Sequence, residues 1–259
     1  MNRAWIRCLG GLLVLLGLAA CQTLPNSPEA EEIEMPGDRP GDIYVALGEA
    51  YMREGRYKVA LRKLLRGLRV DPDNPKIHRG LALLYQTLGE NAKAEAEFAE
   101  AVRLAPRDPY TRNARGNFFY QQGQYDKADA EFRKALEDPL YATPWVALTN
   151  AGICAQQAGR PERAEAYLRR ALEKNPGFPL ALWGMARVSF AQGRYLDARH
   201  YLARLRQVSA PTPETLWLEI QTAHHLGDLR TLYQTRLELE RRYPDAPEVQ
   251  MARELTRKR

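Results

Sequence analysis

Six glycines, Gly55, Gly89, Gly123, Gly159, Gly193 and Gly227, stand 34, 34, 36, 34 and 34 residues apart, and no other feature of the sequence restricts the fold as much. A unit that recurs at a fixed short interval buries its apolar side against its neighbours, so such a chain grows by stacking. A second set of marks falls between the glycines, at Asp71-Pro72, Ala105-Pro106, Asp138-Pro139, Asn175-Pro176, Ala210-Pro211 and Tyr243-Pro244. Each unit therefore reads as two helices with a glycine turn inside the pair and a proline stop after it. Apolar residues keep helical spacing between the marks, as in Tyr44, Leu47 and Tyr51 and then Ala60, Leu64 and Leu68, which predicts one buried stripe per helix.

The unit resembles the tetratricopeptide repeat. The first copy supplies Tyr44, Leu47, Gly48, Tyr51, Gly55, Ala60, Leu64, Gly67 and Pro72 to that pattern. The second supplies His78, Leu81, Ala82, Tyr85, Gly89, Ala94, Phe98, Ala101 and Pro106. The resemblance implies an all-α fold, a right-handed superhelical solenoid of helix-turn-helix units. Six repeats are expected at 41–74, 75–108, 109–144, 145–178, 179–212 and 213–246, with residues 247–259 as a C-terminal cap helix. Arg115 in the third repeat and Glu219 and Arg236 in the sixth depart from the apolar pattern.

The N-terminus reads as an export signal. Arg3 and Arg7 precede an apolar block from Leu9 to Ala20, which at 12 residues is too short for a spanning helix of roughly 20. Leu18, Ala19, Ala20 and Cys21 resemble the bacterial lipobox, which implies removal of residues 1–20, lipidation of Cys21 and, with Gln22 next, sorting to the outer membrane. Residues 21–40 are then expected to be a disordered tether, with Pro25, Pro28, Pro36 and Pro40 and few large apolar residues. Cys154 would be the remaining thiol, so no intramolecular disulfide forms.

The formal charge of +6 falls to +4 without Arg3 and Arg7, and residues 22–40 hold five acids against Arg39 alone, which leaves the repeats at about +8. A basic body at a membrane suits anionic head groups, peptidoglycan or an acidic partner, while nucleic acid does not suit an exported chain. No phosphate-binding glycine loop, paired cysteines, HExxH or GxSxG motif is present, so neither an enzyme, a cofactor, a metal site nor a small-molecule substrate is expected. His224 and His225 are adjacent and diverge by about 100° on a helix, which makes them a poor metal pair.

In tetratricopeptide solenoids the first helix of each repeat lines a concave face, with positions 2, 5, 9 and 12 pointing into it. This register places Arg79, Tyr110, Asn113, Asn117, Tyr120, Asn150, Trp183, Arg187, Phe190 and Trp217 in a partner-binding groove, alongside Thr149 and Ile153. Aromatic and arginine side chains are the usual carriers of interface energy. Asn117 and Asn150 match two positions of the clamp by which some of these domains hold a C-terminal carboxylate. Asn113, Leu180 and Gly184 stand where that clamp needs Lys, Lys and Arg, so carboxylate capture is not expected.

The order of lipobox, acidic proline-rich tether, six repeats and short basic tail resembles the type IV pilus biogenesis lipoproteins of the PilF/PilW family. The longer junction EDPLYATPW and the closing LERRYPDAPEVQ are the most specific local signs. The resemblance implies a pilotin, an outer-membrane lipoprotein whose solenoid faces the periplasm, binds secretin subunits and other pilus assembly proteins, and promotes secretin multimerisation. The alternative is a general envelope scaffold for peptidoglycan synthases or hydrolases.

Overall fold

The computed structural model describes residues 39–257; the expected signal peptide, Cys21 and the tether up to Asp38 lie outside the described residues, as do Lys258 and Arg259. The described residues form thirteen helices and no strand. Six pairs follow one another: α1 (Asp42–Arg53) with α2 (Tyr57–Val70), α3 (Pro75–Thr87) with α4 (Asn91–Leu104), and α5 (Pro109–Gln121) with α6 (Tyr125–Ala135). Then come α7 (Pro144–Gln157) with α8 (Pro161–Lys174), α9 (Pro179–Ala191) with α10 (Tyr195–Val208), α11 (Pro213–Leu226) with α12 (Leu229–Arg242), and a closing helix α13 (Pro247–Arg257).

Glycine makes the turn within each pair. All six turn glycines have φ between 70° and 75°. At Gly123 a Cβ would meet nothing within 4 Å, so the requirement there is the left-handed backbone and not space. Between pairs the signals are proline and side-chain caps. Asn74 accepts from the Lys76 amide at 3.0 Å, and Asp108 accepts from those of Tyr110 and Thr111 at 3.2 and 3.0 Å, each just before a proline at the first helical position. The 36-residue step corresponds to a short α6 of 11 residues and a junction of eight residues, 136–143, before α7.

Small residues set how closely the helices approach. Leu64, fully buried on α2, fills the space between Gly48 on α1 and Gly80 on α3; a Cβ on either would come within 2.7 and 2.9 Å of it. Leu168 on α8 sits in the same way between Gly152 on α7 and Gly184 on α9, at 2.6 and 2.9 Å. In consequence the odd-numbered helices touch across repeats, α1 on α3 and so on to α11 on α13, while the backbones of successive even-numbered helices stay apart. The odd helices form the inner wall of a helical-repeat solenoid.

The core runs along this stack in segments. Leu64, Ile77, Leu81 and Leu84 join the first two repeats, a larger cluster from Ala82 to Leu205 joins the second to the fifth, and Ala186, Leu202 and Leu218 link the fifth to the sixth. The sixth repeat shares its own cluster with α13, where Val249 and Ala252 are buried beside Leu216, Ile220 and Leu239. Glu219 and Arg236, which break the apolar pattern, point to polar partners: Glu219 accepts from Arg206 at 2.8 Å and Arg236 donates to Thr256 at 2.9 Å.

Arg39, the first described residue, is tied to the junction of the first two repeats. Asp71 is 7% exposed at the junction of the first two repeats, and a carboxylate so placed needs a counter-charge. Arg39 supplies it, and also donates to the Asp73 carbonyl at 2.8 Å.

His78 is buried on α3, with Nδ1 at 2.7 Å from a Glu97 carboxylate oxygen and Nε2 at 2.9 Å from the Pro72 carbonyl. Only the imidazolium donates to both acceptors, and the Glu97 bond raises the pKa above its ordinary 6.5. A raised folded-state pKa gives stability that is complete below the unfolded value and is lost as pH rises through the folded one. Thermal melts should therefore show wild type losing stability from about pH 6.5 upward, and His78→Phe should flatten that part of the profile. An unchanged slope in the variant would refute the assignment.

Candidate functional site

The inner wall carries the residues that the repeat register selects, and the structure sorts them into two groups. In the first group the polar or aromatic head is already engaged. Arg79 donates to Asp108 at 3.0 Å, and Asn150 donates to Asn113 at 3.0 Å across neighbouring inner helices. Tyr110 meets Tyr141 edge-on with ring centroids 5.2 Å apart, which joins α5 to the longer junction. Phe190 lies against Tyr195 and His225, while Trp217 packs on the core of the last repeat with its indole N–H unbonded, much as Trp183 packs on the core farther along the stack. Thr149 is fully buried and donates to the Trp145 carbonyl at 2.7 Å, so it belongs to the helix packing and not to the groove.

In the second group the heads have no internal hydrogen bond. Asn117, Tyr120, Trp183 and Arg187 are all half-buried. Among the described residues the Asn117 amide, the Tyr120 hydroxyl, the Trp183 indole N–H and the Arg187 guanidinium make no hydrogen bond or ion pair. Burial raises the Tyr120 pKa, so the phenol keeps its proton, and the charge of Arg187 reaches it. Four donors thus face one stretch of the inner wall from α5 to α9. They match the acceptors of an extended backbone.

Beside them an open cleft of about 580 Å³ lies between the fifth and sixth repeats, bordered by Leu180, Trp183, Arg187, Leu205, Thr212 and Glu214. Leu180 is 41% exposed at its rim. Glu214 accepts from the Thr212 hydroxyl at 2.6 Å, a bond that lowers its pKa and keeps it charged. The cleft is apolar with one charge of each sign at its edge. The register rule that selects Trp183 also selects Leu180, at position 2 of the same repeat. Thr212 and Glu214 enter through the capping turn of α11, which the register does not describe.

No group of three or more His, Cys, Asp or Glu side chains among the described residues is placed to hold a metal ion. His225 stacks on Tyr195 at 4.3 Å. Cys154 is buried at 1% exposure, and burial pushes its thiol up to about 11, which leaves it protonated and unreactive.

A solenoid of helix pairs with a donor-lined inner wall is a tetratricopeptide-repeat domain, a scaffold type that mediates contacts between proteins. Tetratricopeptide-repeat family profiles match residues 45–109, 81–143 and 155–214. The crystal structure of PilW, a widely conserved type IV pilus biogenesis factor, superposes with a TM-score of 0.77 at 31% identity, covering 83% of this chain and 98% of PilW. The type IV pilus assembly protein PilF of Pseudomonas aeruginosa is 28% identical over 238 residues, 92% of this chain and 94% of PilF. A solved structure of P. aeruginosa PilF gives a TM-score of 0.75 at 29% identity, covering 82% of this chain and 95% of that one. The chain belongs to this family of type IV pilus biogenesis tetratricopeptide-repeat proteins.

Proposed function

We propose that the protein is a pilotin: it is lipidated on Cys21, held at the outer membrane with the solenoid in the periplasm, and binds a segment of the secretin subunit so that the ring assembles there. The observation that carries the binding part of this reading is the set of unengaged donors, Asn117, Tyr120, Trp183 and Arg187, beside an apolar cleft in a type IV pilus protein. Buried polar groups of a partner would find bonds there and an apolar side chain would find the cleft. Anchoring raises the effective concentration of captured subunits near the membrane they enter, and a groove that covers apolar surface limits aggregation before assembly.

Gel analysis of heat-resistant secretin multimers in envelope fractions tests both halves. Deleting the gene should abolish the multimers, and Cys21→Ala should leave them in the wrong membrane. Trp183→Ala with Arg187→Ala should weaken secretin capture about tenfold or more, since central aromatic and arginine contacts dominate such interfaces. Arg79→Ala, whose side chain is bonded within the protein, should weaken capture less. Undiminished multimers in the deletion strain would refute the proposal, and co-purification with peptidoglycan enzymes in place of secretin would favour an envelope scaffold.

A further inference from the structure

We infer that the outer face of α2 docks on an anionic phospholipid surface. This helix, YKVALRKLLRGLRV, carries five cations, Lys58, Arg62, Lys63, Arg66 and Arg69, and no acid. Among the other described helices, none exceeds +2 in Lys, Arg, Asp and Glu charge, the value on α3, α5, α10 and α12. Lys58, Arg62 and Arg66 follow one another at i, i+4 and i+8, and with Arg69 they fall within an arc of about 80°. Ala60, Leu64 and Gly67, the buried residues, take the opposite side.

Among the described residues the charges on this stripe have no counter-charge in contact. None of the five cations makes a hydrogen bond or ion pair among the described residues, and Arg66 has only the Tyr44 ring, 5.7 Å from its guanidinium carbon. On the other outer helices some cations are matched, Arg163 to Asp129 at 2.7 Å, Arg169 to Glu165 at 2.6 Å, and Arg206 to Glu219 and Glu238 at 2.8 and 3.0 Å. Those without an ion pair, such as Arg170 on α8 and Arg241 on α12, share their helix with acids, which α2 lacks. Like charges at i, i+4 oppose the helix that bears them, so a counter-charge from outside the chain would stabilise it.

The chemistry of the stripe favours a bilayer over a soluble acidic partner. Leu65, 39% exposed, and Val70, 50% exposed, flank the cations. A helix face with basic heads and short aliphatic edges fits a surface that is anionic at its phosphates and apolar just beneath. Its place in the chain agrees. Helix α2 belongs to the first repeat, and from Cys21 to Arg39 the chain spans at most about 60 Å.

The test uses the purified full chain with a fluorescent amino acid at Leu65, or at Leu237 as an exposed apolar control on α12. The chain is placed in vesicles of phosphatidylcholine, or of phosphatidylcholine with about 30% phosphatidylglycerol, each carrying a head-group quencher. Quenching at position 65 should rise about threefold with the anionic lipid, fall back in about 0.5 M salt, and stay low when Lys58, Arg62, Arg66 and Arg69 are all changed to Gln. Position 237 should not respond. These four side chains lie off the buried face, so the quadruple variant should keep its helical circular dichroism; restoring two of them should restore part of the quenching. Equal quenching in the two lipids, or quenching unchanged in the variant, would overturn the inference. Because the signal is read at position 65 by whichever route the chain reaches the vesicle, its failure is distinct from failure of the anchor or of secretin capture.

Discussion

Replacing Glu131 by Ala should destabilise the solenoid by about 3–5 kcal/mol, because it strands buried positive charge. Glu131 and Arg112 have side chains only 8% and 10% exposed, and the Arg112 Nη1 lies 2.9 Å from a Glu131 oxygen. Arg112 is held in place by two further bonds to the Pro106 carbonyl, at 2.9 and 2.8 Å, so it cannot swing out to water without breaking them. A second guanidinium, Arg115, stands 3.5 Å from the other Glu131 oxygen. The measurement is urea denaturation followed by circular dichroism, with hydrogen exchange to locate the loss, since stacked repeats can open separately. The pair Glu131→Leu with Arg112→Met should recover much of the loss, as apolar replacements of buried ion pairs commonly do. A Glu131→Ala variant within about 1 kcal/mol of wild type would show that water reaches the site and that the buried-charge account is wrong.

Phe132→Ala should cost a similar amount, about 3–5 kcal/mol, for a different reason. Its ring is fully buried in the central cluster that ties the second repeat to the fifth. The ring is accommodated because Gly116 faces it: a Cβ on Gly116 would lie 2.6 Å from Cε1. Gly116→Val alone should therefore also destabilise, by about 1–3 kcal/mol or more, through overpacking. Combining Gly116→Val with Phe132→Ala should cost less than the two separate losses together, because each substitution relieves the fault of the other. Strict additivity in denaturation midpoints would show that the two positions do not share the space.

The same two examples mark what the amino-acid pattern discloses. Gly116 occupies the small-residue position of its repeat and Phe132 the large one, so the periodicity alone places them in a helix-helix contact. The turn glycines, the proline stops and the division into inner and outer helices are legible in the same way, since all are local and recur. Bonds that run between different repeats are not. The Asn113–Asn150 bond spans 37 residues, Arg39 meets Asp71 across 32, and each depends on side-chain reach over an interface whose tilt no local pattern states. The groove shows the same boundary. Register finds which residues point inward, but Arg79 and Arg187 occupy inward positions alike, and only the presence of Asp108 near the first distinguishes a tied arginine from an available one. Arg115 looked like a defect by pattern; beside Glu131 it is part of the charged cluster.

The unequal seams of the stack give it a mechanical character. Along the inner wall, helices of successive repeats lie close to one another, whereas on the outside the second helices are spanned by long side chains, as where Arg163 and Tyr167 on α8 both reach Asp129 on α6 at 2.7 and 3.1 Å. Such a body resembles a hinged strip: stiff along the line where its plates meet, compliant where only struts join them. Any bending of such a body would open or narrow the outer gaps by side-chain rotation, with the inner contacts as the pivot. The curvature of the groove can then follow the girth of what it holds, with the cost spread over several seams instead of concentrated at one.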